Sequence, residues 1–299
     1  MASHDSRGIT DRTDTADPAG SPDTTAYRLN DGTTLPAIGF GTYPLTGEEG
    51  IAAMVSALEA GYRLLDSAVN YDNETEVGEA LRRSGLAREE VAVTTKIPGR
   101  FHARDLALRS LRDSASRLGV DQVDVALIHW PNPSQDLYPQ AWQALVEAQR
   151  DGLVRTIGVS NFTEQHLQRI IDESGVTPAV NQIELHPYFP QAGMRAVHES
   201  LGVRTEAWSP MGKRQAPFDA PAVADAAAAH GVTPGQVILR WHVQLGSLAL
   251  PKSATPERQR QNLDVFGFAL TRAEMDAITA LGRPDGRLFG GDPDTHEEM

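Results

Sequence analysis

The 299-residue chain contains no cysteine. That absence excludes disulfides, thiolate metal sites and cysteine nucleophiles, and it suits a reducing compartment. No apolar run approaches the roughly 18 residues of a membrane span. The N-terminus lacks the apolar core of a signal peptide, so a cytoplasmic protein is the simplest reading. Positive charge is scarce: 27 Lys and Arg face 40 Asp and Glu, a formal net charge of −13. Nucleic acid and anionic membranes repel such a chain, so neither is expected as a partner. A phosphorylated ligand would have to be met by cations clustered locally. The nine histidines are scattered, without H-E-x-x-H or comparable spacing, and no metal site is expected. What remains is an ordinary globular composition, 40% hydrophobic and 22% charged.

Residues 1–26 have almost no large apolar side chain, and their Asp, Thr, Ser, Pro and Gly content predicts a disordered leader. The rest, 27–299, reads as one domain. Asn30-Asp31-Gly32 lies between short apolar flanks and predicts a hairpin. From there strand-like and helical segments alternate. The strands fall at Ile38–Gly41, Tyr62–Asp66, Val91–Ile97, Val123–His129, Val154–Val159, Ala179–Glu184, Val203–Trp208 and Ser247–Pro251. The helices fall at Glu48–Ala60, Glu74–Ser84, Ala103–Leu118, Tyr138–Arg150, Glu164–Ser174, Ala192–Leu201 and Ala220–Leu245, the last broken near Gly231–Pro234. Thr46 with Glu49, Asn73 with Glu76, and Thr271 with Glu274 have capping-box spacing, while Thr163 and Thr255 can act as simple caps. Several strands read as apolar runs rather than clean alternation, as in strands covered by helices. Eight such units predict an α/β fold, a (β/α)8 TIM barrel. A doubly wound sheet would announce its dinucleotide site with G-x-G-x-x-G, and this chain has only Gly39-Phe40-Gly41.

Four polar residues fall at strand ends, the rim where barrels do chemistry. Asp66 ends the second strand and Tyr71 follows it. Lys96 ends the third, and His129 the fourth. Taken singly, each has a bland reading as a solvated, core or loop-anchoring group; it is their collection on one rim that points to a site. A phenol with a pKa near 10 is a poor acid at neutral pH. An adjacent ammonium is expected to lower that pKa, and a carboxylate keeps the ammonium charged and in place. A neutral histidine can aim a hydrogen bond at an oxygen where negative charge develops. The set suits carbonyl reduction, but none of the four can supply a hydride, so a cofactor must.

These strand ends resemble the catalytic motifs of the aldo-keto reductases, in family order: Asp66-Ser67-Ala68-x-x-Tyr71-x-Asn73-Glu74, Thr95-Lys96, and Ile128-His129-Trp130-Pro131. The resemblance runs from about Tyr27 to Thr295. It implies an NADPH-dependent reductase of aldehydes or ketones, with Tyr71 as general acid, Lys96 and Asp66 as its tuning pair and His129 orienting the substrate. It also implies a monomer. The stretch from Trp208 to Gly212, the Pro251–Arg258 segment and the Gly290–Thr295 ending look most like the bacterial branch that includes 2,5-diketo-gluconate reductases. Members of that branch reduce keto-sugars, dicarbonyls and aromatic aldehydes.

Further residues follow from the same resemblance. Ser160, Asn161 and Gln182 would bond the nicotinamide carboxamide, and Trp208 would stack on its ring. Gly41, Thr42, Asp66, Ser209 and Met211 would complete that end of the NADPH/NADP+ site. Asn262 would contact the adenine. The residues themselves add a case for the phosphate: Thr255 and Pro256 can open a helix, whose N-terminus favours anions. Lys252, Ser253, Thr255 and Arg258 surround that start, which fits a 2′-phosphate clamp. Phe40, Tyr43, Trp130 and a C-terminal substrate loop, Gly286–Thr295, would line the substrate pocket beside Tyr71 and His129. Arg100, His102 and Arg287 are candidates for an anionic substrate group. The acidic tail is expected to be flexible beyond Thr295. Two other classes stay open: an NADPH-binding redox-sensing or regulatory module with little turnover, and a barrel enzyme that uses Lys96 for a Schiff base.

Overall fold

The computed structural model describes residues 25–299. Of the expected leader, residues 1–24 lie outside the described residues, and Ala26 already opens the first strand. β1 (Ala26–Arg28) and β2 (Thr34–Pro36) pair antiparallel, Tyr27 opposite Leu35. Gly32 closes the turn at φ +86°, a conformation an L side chain resists. The hairpin lies across the N-terminal ends of the barrel strands. Tyr27 Oη donates to the Val243 carbonyl at 2.8 Å, and Asn30 Nδ2 to the Pro178 carbonyl at 2.9 Å.

Eight parallel strands then alternate with helices. They are β3 (Phe40–Gly41), β4 (Leu64–Asp66), β5 (Ala92–Ile97), β6 (Val123–Ile128), β7 (Val154–Ser160), β8 (Val180–Glu184), β9 (Arg204–Trp208) and β10 (Leu248–Ala249). Each pairs with the next in sequence order. Ile38 bridges Ala249 in parallel and closes the barrel, as the eight alternating strand and helix units predict. The helices are α1 (Gly47–Ala60), α2 (Glu74–Ser84), α3 (Arg104–Leu118), α4 (Tyr138–Arg150), α5 (Glu164–Ser174), α6 (Ala192–Leu201), α7 (Pro221–His230), α8 (Pro234–Gln244), α9 (Pro256–Leu263) and α10 (Arg272–Thr279). The expected break in the last long helical stretch separates α7 from α8. Gly231 ends α7 at φ +66°, and Thr233 caps α8 by accepting from the Gln236 N–H. Among the described residues no helix is long and apolar enough to cross a membrane.

Two expected capping boxes do not form. Thr46 makes no side-chain cap, and the Gly47 N–H donates instead to Glu76 Oε1 of α2 at 3.1 Å. Asn73 does not cap α2 either. Its amide turns to the β3–α1 loop, donating to the Leu45 carbonyl at 2.9 Å and to Thr42 Oγ1 at 3.1 Å, and it accepts from Ser67 Oγ at 2.7 Å. The Leu45 carbonyl would otherwise lose this partner, which costs more than an open helix end in water. Thr255 also makes no side-chain cap, whereas Thr271 and Glu274 form the expected box. The tail departs from expectation more widely. Residues 296–299 are docked on the loops after β4, β5 and β6, because the Glu297 carboxylate and the Glu298 carbonyl accept the N–H groups of Ser134 and Gly99.

Candidate active site

The C-terminal ends of β4, β5 and β6 bring Asp66, Lys96 and His129 to one rim, and a short 3₁₀ turn at Val69–Tyr71 carries Tyr71 over them. Lys96 is fully buried. Its ammonium donates to both Asp66 oxygens, at 2.7 and 2.8 Å, and to the Ser67 carbonyl at 2.9 Å. It also stands 3.4 Å from Tyr71 Oη. Burial is the largest influence and works against its charge, but Asp66, Tyr71 and Glu206 together outweigh it and the Lys96 pKa rises. A lysine held charged in this way is a poor Schiff-base nucleophile.

Tyr71 corrects one expectation. Burial pushes the phenol up to about 12, and Lys96 only partly opposes that rise. The ammonium acts in the expected direction but does not win. The Tyr71 ring packs edge-on against His129 at 5.7 Å and lies 5.1 Å from the Tyr43 ring.

These residues open on a cavity of about 830 Å³. From the tetrad it passes Ser160, Asn161, Gln182 and Trp208, and reaches Lys252. Gln182 Nε2 donates to Asp66 Oδ1 at 2.9 Å, and Ser160 Oγ donates to the Gln182 carbonyl at 2.8 Å. Asn161 holds φ +61°, which asparagine tolerates better than most residues. Its amide donates to the His129 carbonyl at 3.0 Å and accepts from Trp208 Nε1 at 2.8 Å. Gly41 belongs to the same wall. A Cβ there would lie 3.1 Å from the Leu250 carbonyl, so this close approach asks for glycine.

The expected cofactor residues divide. Gly41, Asp66, Ser160, Asn161, Gln182, Trp208, Ser209, Met211 and Lys252 line the cavity. Thr42 does not; it is buried and donates to the Asp66 carbonyl at 2.8 Å, so it belongs to the framework. Ser253, Thr255, Arg258 and Asn262 lie outside the cavity lining, on and just before α9. Ser253 Oγ accepts the Thr255 N–H at 3.1 Å, and Arg258 is exposed at the helix start.

Among the expected pocket residues, Tyr43 and Trp130 line the cavity. Phe40 does not. It is fully buried, edge-on to Tyr62 at 5.2 Å, because strand β3 turns its side chain into the core. No residue of Gly286–Thr295 lines the cavity, although Phe289 stacks on Trp208 at 6.1 Å. Glu184 fastens that segment by accepting the Leu288 N–H at 2.6 Å. Arg100 bonds Asn70, Arg287 bonds the Gly291 carbonyl, and His102 is fully buried.

The sequence reading missed four groups. Lys213 and Arg214 line the cavity, and a basic pair just after a strand end in so acidic a chain could have signalled them. Glu206 points from β9 into the barrel, 1% exposed, with neither carboxyl oxygen hydrogen-bonded. Burial, reinforced by Asp66 and opposed by Lys96 and by the nearby Gln182 amide, which falls short of a full hydrogen bond, pushes it up to about 8. Glu298 brings its carboxylate to His129. No local motif marks either glutamate.

Comparison with known proteins agrees with this geometry. The chain is 57% identical to 2,5-diketo-D-gluconic acid reductase B of Corynebacterium sp. (strain SHS752001) over 278 residues, 93% of this chain and 100% of that protein. It is 42% identical to the methylglyoxal reductase DkgA of Escherichia coli (strain K12), over 90% of this chain and 97% of that one. A solved variant of Gox0644 in complex with NADPH superposes with a TM-score of 0.87 at 42% identity, covering 91% of this chain and 98% of that one. The profile of the aldo/keto reductase family matches residues 37–283, which include the Asp66–Lys96 pair, Tyr71, His129 and nearly all of the barrel: the chain belongs to the aldo/keto reductase family.

Proposed function

We propose that this chain reduces the carbonyl of small dicarbonyls and keto-sugars to an alcohol, with Tyr71 as the general acid. It is an NADP-dependent oxidoreductase of its family. The observation that carries the proposal is the Tyr71 hydroxyl, 3.4 Å from an ammonium that Asp66 locks in place, on the wall of a cavity of about 830 Å³. The donor set fits that cofactor: amide and hydroxyl groups from Ser160, Asn161 and Gln182 at one end, cations from Lys252 and Arg258 at the other. When bound, NADPH supplies the hydride that reaches the carbonyl carbon.

The chain's own residues handle the oxygen. Tyr71 keeps its proton up to about pH 12 and offers it to the carbonyl oxygen as charge builds there. An alkoxide is a much stronger base than even this phenolate, so the transfer runs downhill. Lys96 then stabilises the phenolate left behind, and Asp66 fixes Lys96. His129 adds a second polar contact to the same oxygen. Tyr43, Trp130 and Trp208 give that end of the cavity aromatic walls that exclude water.

The choice of substrate class rests on the relatives' names, diketo-gluconic acid and methylglyoxal reductases. The acidic, cysteine-free composition and the family support a cytoplasmic monomer built as one unit over residues 27–299, which size-exclusion chromatography tests. For the reaction, NADPH absorbance is followed with a panel of aldehydes, keto-sugars and dicarbonyls. Wild type turns over, and Tyr71→Phe loses about 10²–10⁴-fold in kcat while still binding NADPH. Tight NADPH binding with no turnover on any carbonyl would point instead to a redox-sensing module.

A further inference from the structure

His129 lines the cavity, yet its Nδ1 is buried away from it, which leaves Nε2 as the nitrogen turned toward substrate. What Nδ1 faces is Glu298, whose Oε1 stands 2.9 Å away, at ion-pair distance but without the geometry of a full hydrogen bond. The same oxygen accepts from Asn70 Nδ2 at 2.8 Å. The backbone behind it is pinned as well: the Glu298 carbonyl accepts the Gly99 N–H at 3.2 Å and the Asn132 amide. On either side of it, Glu297 accepts the Ser134 N–H at 2.8 Å, and the Met299 carbonyl accepts from Asn70 at 3.2 Å. Gly99 makes room for this strap. A Cβ there would lie 2.3 Å from the Glu298 carbonyl oxygen.

We infer that Glu298 is a positioning residue of the carbonyl-reducing site, acting through His129. The inference rests on the reading of that site given above. A carboxylate and an imidazole lone pair repel, so an ionised Glu298 requires a proton on Nδ1. Burial alone would raise the Glu298 pKa, but His129 and Asn70 hold the carboxyl below the usual range, so it is ionised at neutral pH. With Nδ1 protonated, a proton on Nε2 makes the ring an imidazolium whose counter-charge is already in place. That form donates to a developing alkoxide more strongly than a neutral ring does. The carboxylate also fixes the ring plane, as partners behind a functional histidine commonly do.

Two measurements test this on the full chain. In ¹⁵N-histidine NMR spectra of the wild type, the His129 resonances should report a protonated Nδ1. Glu298→Gln should reduce that signature. So should Gly99→Ala, which displaces the strap and leaves the carboxylate intact. In NADPH turnover, Glu298→Gln should lower kcat about tenfold, with the NADPH Kd unchanged. Glu297→Ala, which removes the acceptor for the Ser134 N–H without touching His129, should lose less. Wild-type kcat in Glu298→Gln beside a silent Tyr71→Phe would overturn the inference and leave the reductase reading standing. Faster turnover in Glu298→Gln would overturn it too, because the carboxylate would then be an obstruction. If the wild type reduces no carbonyl at all, the reductase reading falls, and an unprotonated Nδ1 in the spectra would separately refute the role of Glu298.

Discussion

Glu206→Gln should stabilise the barrel, and by more as the pH rises. Glu206 sits inside the barrel, and neither of its oxygens hydrogen-bonds within the protein. Its carboxyl ionises near 4.5 in the ordinary case and near 8 in the folded state, because burial and the negative Asp66 both oppose charge there. Between those values the unfolded chain has released a proton that the folded barrel keeps. Stability therefore falls as pH rises through this window and stays low above about 8, where both states are charged. At about 1.4 kcal/mol per pH unit the full rise corresponds to ~5 kcal/mol. Relaxation around a buried ion delivers less than that, and ~2–3 kcal/mol is the expected effect. Glutamine keeps the shape and never ionises, so it removes the loss. Urea denaturation of both proteins at about pH 5, 7 and 9 measures the difference. It should be near zero at the acid end and grow to the alkaline end. A difference that stays flat across the range would show that Glu206 is ionised throughout, and would refute the argument.

Two other substitutions separate framework from site. Asn73→Ala strands the Leu45 carbonyl and the Ser67 hydroxyl, and should cost about 2–4 kcal/mol of stability in urea titration; a loss below about 0.5 kcal/mol would mean that solvent satisfies those groups. Arg258→Ala removes an exposed cation at the start of α9 and should weaken NADPH binding about tenfold while sparing NADH; equal loss for both would remove Arg258 from the 2′-phosphate clamp.

The barrel was legible because its strands are apolar runs and its helices carry their own stops. α2, α4, α5 and α6 fall where the pattern places them, and glycines at 85, 175 and 202 end three of the four. The strand-end positions of Asp66, Lys96 and His129 follow from the same pattern. What stayed hidden depends on neighbours far along the chain. Asn73 looks like a cap in isolation, but the pull of Leu45 and Thr42 decides its rotamer. Phe40 reads as a pocket aromatic until the closure of the barrel turns it inward. The acidic tail reads as solvated until the free N–H groups of Gly99 and Ser134 are placed beside it. The Tyr71 pKa was misjudged for a related reason: the nearby ammonium is visible in the motif, and the burial that outweighs it is not.

The closure of the barrel carries a further consequence. β3 and β10 have two residues each, and the join between them depends on few bonds: Gly39 N–H to the Ala249 carbonyl at 2.9 Å, Ala249 N–H to the Ala37 carbonyl at 3.0 Å, and Gly41 N–H to the Pro251 carbonyl at 3.2 Å. If it parted, the sheet would expose two unpaired edges, the kind of surface through which chains exchange strands or aggregate. Gly41 stands on one side of this join and Lys252 on the other, and both line the cavity. A ligand that touches both acts as a clasp on the fold's thinnest seam. Occupancy of the cavity is in this sense also a safeguard against misassembly, provided by whatever spans the two sides.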